Sequence, residues 1–516
     1  MSDKKQVSLG ADAGLLTLSK IAVSAMSMVM AMLLARFRTK AEMGTYNSIL
    51  MVINLVISLL MLGLPKSINY FLGRAETNDE RKKFLSVYYT FNTILSFIVG
   101  AVLCASVRLI EIYFNNDTIR YFLYFLAVFP WTKIIMSSVE NLLIVYRRTK
   151  WLIVFRVSNS ILLILAIVIV RALGLSFTDY MIAYVAIEAL FALAVYMLAN
   201  RVSGGIKPSF DGALLKKILT FSIPLGLASV VGTLNIELDK FLIGALMTPE
   251  DLAVYSNAAR ELPVTMIASA FTAVLLPQFA RLLKNDRKDE AIALWGVSNR
   301  LTFIIISIIA FGCFTFAPEV MTILYSKEYI GGAWVFRVYS LMLLFRTTYY
   351  GIILNSKGKS KFIFWCSVIS LGLNAVLNVI FYFIFSAFGQ GFVAPAVATF
   401  FSTFIMAAIQ LVATAKSIDY RFAKLLPWGK LGLITLVNIA FSAVFFAAAK
   451  LLPIDRFFDG IEFWKLSGSG QCFEAVILGI VWAISYFALM LRPMKKLWKQ
   501  LKAPVDLPEA AADEKN

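Results

Sequence analysis

Long apolar runs, separated by short polar segments, follow one another along the whole chain. Each run has ~18 to 25 residues, enough for a helix to cross ~30 Å of hydrocarbon. They predict fourteen membrane-spanning helices, at residues 14–35, 43–65, 84–106, 120–146, 151–171, 178–199, 214–236, 251–278, 291–316, 331–354, 362–386, 391–415, 430–450 and 473–491. The composition agrees, because 60% of the residues are hydrophobic and the mean hydropathy is +0.78. The predicted fold class is an all-α polytopic membrane protein with about 14 transmembrane helices.

Basic residues are distributed unequally between the polar segments. If both termini are cytoplasmic, the inner segments hold 30 Lys and Arg residues and the outer loops hold 11. Short cytoplasmic loops carry such an excess in membrane proteins. The net charge of +18 therefore belongs to loops that flank the membrane, and we expect no nucleic acid as partner.

Several kinds of catalytic and metal site are excluded by residue content. The chain has no histidine, which removes His-ligated metals and Ser-His-Asp triads. Its cysteines lie in or beside apolar runs without paired spacing: Cys104, Cys313, Cys366 and Cys472. No glycine-lysine phosphate loop is present, and the cytoplasmic loops are too short for a nucleotide-binding domain. We expect no cofactor, no metal and no ATP-driven pumping within this chain.

A Gly- and Pro-containing segment divides the chain. Residues 201–213 include Gly204, Gly205, Pro208 and Gly212, which predict an irregular cytoplasmic linker. The predicted organisation is an N-terminal lobe at 1–200 with helices 1–6, this linker, a C-terminal lobe at 214–416 with helices 7–12, helices 13–14 at 417–492, and a cytoplasmic tail at 493–516. The last two helices carry no charge over 431–449 and 475–491, which is typical of helices that complete a membrane bundle.

The two predicted lobes share a short sequence pattern. Residues 35–47 align with residues 244–256 at a constant shift of 209. The matched pairs are Thr39 with Thr248, Glu42 with Asp251, Met43 with Leu252, and Tyr46 with Tyr255. Because six helices separate the two stretches, the repeat is parallel, with a pseudo-two-fold axis along the membrane normal.

Four stretches resemble one known family: residues 238–263, 274–282, 353–381 and 391–404. They begin LDKFLIGALMTPEDL, VLLPQFARL, ILNSKGKSKFIF and GFVAPAVATFF. In this order they look like the polysaccharide-exporter branch of the multidrug, oligosaccharidyl-lipid and polysaccharide exporter superfamily. The resemblance implies a transporter and not an enzyme, with two pseudo-symmetric six-helix lobes around a central cavity, two C-terminal helices and alternating access. It further implies that the two C-terminal helices hold the polyprenyl tail, and the alternative is that they only complete the bundle. It also implies a bacterial cytoplasmic (inner) membrane location and an undecaprenyl-diphosphate-linked sugar as cargo.

Charged residues inside the apolar runs are the candidate site. They comprise eight bases, Lys20, Lys66, Lys133, Arg156, Arg260, Arg300, Arg337 and Arg346, and four acids, Glu140, Glu188, Glu237 and Glu261. A charge at the bilayer centre costs about 2.5 to 3.5 kcal/mol, so these side chains should face protein or an aqueous cavity. Their net positive sign suits an anion such as a diphosphate.

The candidates fall into two groups. We expect the cavity to bind cargo through Lys66, Arg260 and Arg346 first, and also through Lys20, Lys133 and Arg300. Glu140, Glu261 and Asp239 are candidates for gating or charge pairing, with Asp239 at the outer rim of the seventh helix. Two alternatives stay open: Lys20, Arg156 and Arg300 extend to the cytoplasmic interface, or Glu140 forms a structural pair with Lys133, two helical turns away.

Two further matches concern the lipid II flippase of the same superfamily. Ser19-Lys20 resembles a serine and basic residue in its first helix, and Glu261, Pro263 and Pro277 match the spacing in its eighth helix. Met26 stands where that protein has its next arginine, which argues against lipid II as the cargo.

The expected function is a flippase that moves an undecaprenyl-diphosphate-linked oligosaccharide repeat unit, as in O-antigen assembly, from the inner to the outer leaflet. Membrane potential or an ion would drive it, and its partners would be the polyprenyl-diphosphate-linked sugar, membrane lipids and other polysaccharide-assembly proteins. The alternatives are a lipid II flippase, a cation-coupled drug exporter and a membrane glycosyltransferase or polymerase. The drug exporter is disfavoured because the first helix carries Lys20 and no acid, and the transferase because the loops are short.

A reporter fusion tests the orientation. A reporter fused after Lys502 should be cytoplasmic, because the even helix number and the basic loops place both termini inside. A fusion within residues 107–119, a predicted outer loop, is the control and should be extracytoplasmic. An extracytoplasmic Lys502 fusion contradicts the orientation.

Overall fold

The computed structural model describes residues 2–452 and 469–502, and the regular structure of these residues is helical. In the first part, the helices are α1 (Ser2–Phe37), α2 (Lys40–Met61), α3 (Leu64–Arg74), α4 (Asn78–Ala105), α5 (Val107–Phe114), α6 (Leu123–Met136), α7 (Val139–Val145), α8 (Thr149–Ala172), α9 (Phe177–Ser203), α10 (Gly212–Leu246) and α11 (Pro249–Ala258). After them come α12 (Thr265–Lys284), α13 (Lys288–Thr315), α14 (Ala317–Leu324), α15 (Ala333–Met342), α16 (Ile352–Ser356), α17 (Ser360–Ala387), α18 (Ala394–Ser417), α19 (Phe422–Leu425), α20 (Trp428–Leu451) and α21 (Ser469–Lys502).

Thirteen helical segments in the described ranges are long and apolar enough to cross a membrane. They correspond to every predicted span except the tenth, at 331–354, which is interrupted. Its residues form α15, a 3-10 turn at Leu343–Arg346 and the short helix α16, with 347–351 between them. The prediction of one continuous helix there is wrong. Side chains of α13 bind this stretch, and one of them, the Thr302 hydroxyl, donates to the backbone carbonyl of Thr347. The polytopic all-α fold class is confirmed.

Packing divides the chain into two compact units. Unit 1 joins Met1–Ala259 with Leu371–Pro395, and unit 2 joins Arg260–Ser370 with Ala396–Asn516. This division differs from a boundary at the linker, because α10 and α11 pack on α2 and so belong to unit 1. The predicted lobes describe the sequence repeat and remain a prediction. The predicted tail at 493–516 lies outside the described residues beyond Lys502.

The linker of unit 1 is irregular from Gly205 to Asp211 and lies along α4. The backbone N–H groups of Lys207 and Ser209 donate to the hydroxyls of Ser86 and Thr90, over 3.1 and 3.0 Å. These hydroxyls are one helical turn apart on the same face of α4. The linker is therefore held at successive points and is not a loose hinge.

Asp211 ends the linker and caps α10. Its carboxylate accepts from the Leu214 N–H at 3.0 Å and lies 2.7 Å from Lys83 Nζ. The bond from Lys83, followed by the bond from Leu214, lowers the pKa of the Asp211 carboxyl. One carboxylate thus starts α10 and joins it to α4.

In unit 2, α20 and α21 pack on α13 through a buried polar network. Asn438 Nδ2 donates to Ser307 Oγ at 3.1 Å and to the Tyr486 hydroxyl at 3.2 Å. The Trp482 ring stacks on Phe445 beside them, with centroids 5.4 Å apart. The two C-terminal helices are therefore integral to the core of unit 2, and lipid-tail binding by their outer faces stays a prediction.

The repeat continues through consecutive elements. Helices α4 and α13 each have 28 residues and start at Asn78 and Lys288, which are 210 positions apart. The eight-residue helices α5 and α14 start at Val107 and Ala317, again 210 apart. The break of the fourth span into α6 and α7 likewise recurs as the break between α15 and α16.

The aligned stretches at 35–47 and 244–256 form the same local structure. The Thr39 hydroxyl accepts from the Glu42 N–H at 3.3 Å, and the Glu42 carboxylate accepts from the Thr39 N–H at 2.9 Å. Thr248 and Asp251 form the same reciprocal pair at the start of α11. Both are capping boxes, in which two N–H groups at a helix start are satisfied. The sequence match is thus a matched pair of helix starts.

The two helix starts touch at Gly44. A Cβ atom at this position would lie 2.0 Å from the Pro249 carbonyl oxygen, closer than any real contact. Only glycine allows α2 and α11 to approach this closely.

A Gly44→Ala variant should be less stable, because the new methyl group forces the two backbones apart. We expect a loss of about 1 to 3 kcal/mol, the usual cost of overpacking, measured as a lower Tm of the purified protein. Gly73→Ala is the matched control, since its Cβ would meet no atom within 4 Å, and it should leave Tm unchanged or raise it. An equal Tm for both variants contradicts the close contact.

Candidate functional site

Besides the break between α6 and α7, three of the predicted spans are interrupted, each beside a charged candidate residue. The first interruption follows α2, where Leu62 and Gly63 have φ angles of 38° and 73°. Lys66 lies in the next turn, at the start of α3, and is exposed. Interrupted helices leave backbone groups without helical partners, and at membrane depth these occur where the chain is buried in protein or lines a water-filled cavity.

The second interruption separates α11 from α12, inside the predicted span 251–278. Residues 260–264 are not helical, so the prediction that Arg260 and Glu261 lie within a helix is wrong. Pro263 accounts for this, because proline provides no N–H and disfavours helix in the residue before it. Arg260 is half-buried and hydrogen-bonded to the phenol of Tyr325, whereas Glu261 is exposed.

The third interruption, at 347–351, is stabilised by α13. The Thr302 hydroxyl donates to the Thr347 carbonyl oxygen at 2.6 Å, and the Thr347 hydroxyl donates to Asn299 Oδ1 at 3.1 Å. Trp295 Nε1 donates to the Thr348 hydroxyl at 2.7 Å. Thr302 thus supplies a donor to a backbone carbonyl of the interruption, and the other two bonds join side chains of α13 to the side chains of Thr347 and Thr348.

This interruption brings two candidate arginines onto neighbouring segments. Arg346 immediately precedes Thr347, and Arg300 immediately follows Asn299, so each flanks one partner of the Asn299–Thr347 hydrogen bond. Arg346 is exposed and Arg300 is half-buried. The Nε atom of Arg300 is buried without a hydrogen-bond partner.

Lys20 and Lys133, by contrast, are ion-paired within unit 1. Glu140 binds Lys20 Nζ at 2.9 Å and also contacts Arg156. Lys133 Nζ lies 3.2 Å from the buried carboxylate of Glu188. The alternative in which Glu140 pairs with Lys133 is therefore wrong, because each has a different partner on another helix.

Asn159 also belongs to this cluster, although it carries no charge and is not among the predicted site residues. Its Nδ2 donates to Glu188 at 3.3 Å and holds the carboxylate that faces Lys133. The available signal was an amide within an otherwise apolar run. Asn299, which holds the third interruption, carries the same signal.

The acids have different environments. Asp239 lies toward the end of α10 as expected, yet its side chain is only 1% exposed and accepts from the Tyr255 hydroxyl at 3.0 Å. Its neighbour Lys240 pairs with Glu237 at 3.0 Å. Asp239 thus joins α10 to α11 and does not present a carboxylate at an open rim.

Five of the eight candidate bases lack a carboxylate within ion-pair distance among the residues with described side chains. Four of these five also do not lie over an aromatic ring in that part of the chain. They are Lys66, Arg260, Arg300 and Arg346, and we call them the unpaired cations. Arg337, the remaining base of the candidate set, lies over the Trp334 ring at 4.5 Å and donates to the Phe314 carbonyl oxygen. Three of the unpaired cations therefore lie at helix interruptions. The fourth, Arg300, follows Asn299, which is hydrogen-bonded to the third interruption.

Comparison with solved structures gives the fold. The chain is similar to an inward-facing multidrug resistance MATE family transporter of the MOP superfamily, with 16% identity, a TM-score of 0.60, and coverage of 78% of this chain and 98% of the other. An outward-facing MATE family transporter gives 14% identity, a TM-score of 0.54, and coverage of 79% and 95%. A MOP superfamily transporter from Pyrococcus furiosus gives 14% identity, a TM-score of 0.53 and the same coverages. No curated protein matches the sequence.

The sequence profile of one family, described as polysaccharide biosynthesis protein, matches residues 33–332. This range is more than half of the 516 residues and includes the repeat, the linker and the first two interruptions. The family resemblance is confirmed. The chain is a multi-pass membrane protein with the fold of MOP superfamily transporters, and it belongs to the polysaccharide biosynthesis protein family.

Proposed function

We propose that this protein is a flippase that moves an undecaprenyl-diphosphate-linked oligosaccharide repeat unit from the inner to the outer leaflet of the bacterial cytoplasmic membrane. The observation that carries the proposal is the set of unpaired cations, Lys66, Arg260, Arg300 and Arg346, at or beside helix interruptions. The family supports a polysaccharide role, and the fold supports transport by alternating access. Both termini would be cytoplasmic.

The charge balance favours an anionic cargo. A cation within the membrane costs about 2.5 to 3.5 kcal/mol, and the paired lysines offset this with Glu140 and Glu188. The unpaired cations have no such carboxylate among the described residues. A diphosphate supplies the missing negative charge, and arginine binds phosphate through two parallel hydrogen bonds.

The interruptions also suggest how the site changes shape. Pro263 and the left-handed Leu62–Gly63 pair each separate two helical segments, so small backbone rotations there reorient Arg260 and Lys66. The diphosphate head would bind from the inner leaflet and be released outside, while the prenyl chain stays in lipid. Outward transfer of one negative charge is favoured by about 2.3 kcal/mol per 100 mV, unless the bases move with it.

The alternatives have weaker support. A cation-coupled drug exporter needs an available carboxylate, yet Glu140 is bound by two bases and Glu188 by Lys133. Glu261 is the exposed acid among the candidates, and it is the residue to examine for ion coupling. Met26 still argues against lipid II, and the short loops still argue against a glycosyltransferase. Contacts with other polysaccharide-assembly proteins remain part of the proposal.

The triple variant Lys66→Gln, Arg260→Gln and Arg346→Gln should lower flipping at least ~100-fold. Each charge-assisted hydrogen bond to phosphate contributes about 1.5 to 3 kcal/mol, and glutamine cannot replace the charge. The measurement is translocation of a polyprenyl-diphosphate-linked sugar by the protein in proteoliposomes.

A variant with Lys495, Lys496 and Lys499 changed to Gln is the matched control. It removes the same charge from exposed positions of α21, and it should transport normally. Intact transport by a correctly inserted Lys66, Arg260 and Arg346 variant would falsify the role of these cations.

Glu140→Gln should mainly lower stability, because the amide leaves Lys20 and Arg156 without a counter-charge. Breaking a buried pair costs about 3 to 5 kcal/mol, and the partial exposure of this cluster reduces the expected loss to about 1 to 2 kcal/mol. The readout is the Tm of the purified protein. Lys66→Gln, which removes an unpaired cation, is the control and should not lower Tm. Loss of transport at unchanged Tm would instead assign Glu140 to gating.

A further inference from the structure

Unit 2 has an open groove of about 610 Å³ between the start of α17 and the last three turns of α18. Its walls are largely apolar, with Phe362 on α17 and with Phe404, Ile409 and Val412 on α18. Phe404 is 50% exposed. This volume is in the range of ligand-binding pockets.

Two lysines line one end of the groove. Lys359 immediately precedes α17, and Lys416 is the penultimate residue of α18, next to Ser417. In the described ranges neither lysine forms an ion pair, and the nearby Asp419 pairs with neither. The groove is therefore apolar along its length and positively charged at one end.

A hydrogen bond joins the two walls at this charged end. Lys357 Nζ donates to the Ser417 carbonyl oxygen at 2.6 Å, which ties the loop before α17 to the end of α18. Lys359 and Lys416 are thus fixed on adjacent segments and do not project from independent loops. A third positive charge, on Lys357, lies at the same end.

The length of the groove is close to the thickness of the hydrocarbon layer of one leaflet. From Phe404 to Lys416, helix α18 rises about 18 Å, close to the ~15 Å of half a hydrocarbon core. The basic-loop pattern predicts that residues 355–361 and 416–429 are cytoplasmic. With this orientation, the lysines lie at the level of the inner-leaflet headgroups and the apolar walls lie beside acyl chains.

We infer that this groove binds one anionic glycerophospholipid of the inner leaflet. Its phosphate lies between Lys359 and Lys416, and one acyl chain lies along Phe362, Phe404 and Val412. None of the unpaired cations lines the groove, and apart from the lysines the polar lining is Ser417 alone, which gives little to recognise a sugar. The site is therefore distinct from the proposed cargo site.

The first test measures lipid affinity of the purified full-length protein by native mass spectrometry. Phosphatidylglycerol should bind more tightly than phosphatidylcholine. The double variant Lys359→Gln with Lys416→Gln should weaken phosphatidylglycerol binding roughly 10- to 30-fold, because each lysine near an anionic lipid strengthens binding about fivefold. The matched control is Lys361→Gln with Lys430→Gln, two exposed lysines of the same predicted face that do not line the groove. Equal phosphatidylglycerol affinity of both double variants overturns the inference.

A second variant tests the apolar part. Ala408 lines the groove, and Ala408→Phe should weaken both lipids while the lysines remain. Retention of both lipids by this variant, at unchanged Tm, counts against an acyl chain in the groove. Displacement of phosphatidylglycerol by millimolar inorganic phosphate, or preferential binding of undecaprenyl phosphate through the same lysines, also overturns the assignment.

Discussion

Satisfaction of backbone hydrogen bonds within an apolar environment is the constraint on which this structure depends. Continuous helices meet it by themselves, and most of the chain consists of them. Where a helix is interrupted, other protein groups must meet the requirement. The Thr302 hydroxyl does so for the Thr347 carbonyl oxygen, and Asn299 binds the Thr347 side chain. Such places require surrounding protein or water, and the same surroundings accommodate a charge, so interruptions and charges occur together.

The distribution of charge then divides the intramembrane residues by role. Where a carboxylate is available on a neighbouring helix, as with Glu140 and Glu188, the lysines of unit 1 contribute to the helix bundle. Where none is available among the described residues, as at Arg300, the cation has no internal counter-charge. Intramembrane cations without a counter-charge are costly to keep, and a binding function gives a reason for them.

Much of the fold could be predicted from the sequence, since the apolar runs indicate the membrane spans and the basic loops indicate their orientation. The third break was less visible, because Thr347 to Gly351 carry no charge and lie within a longer apolar run, and their polar partners lie some fifty residues earlier in α13. Pro263 marked its own break. Pairings such as Lys20 with Glu140 join helices far apart in sequence, so charge alone identified the residues and only the tertiary contacts identified their partners.

The close contact at Gly44 has a consequence for the evolution of the internal repeat. Under the shift of 209, Gly44 corresponds to Ala253, which is also small and is fully buried. Helices α2 and α11 begin with equivalent capping boxes and pack on each other, an arrangement like that of two identical helices across a two-fold dimer interface. A duplicated gene inherits such a contact as a self-complementary surface. After duplication the two copies vary independently over most of their length, yet a larger residue on one of these helices requires a compensating change on the other.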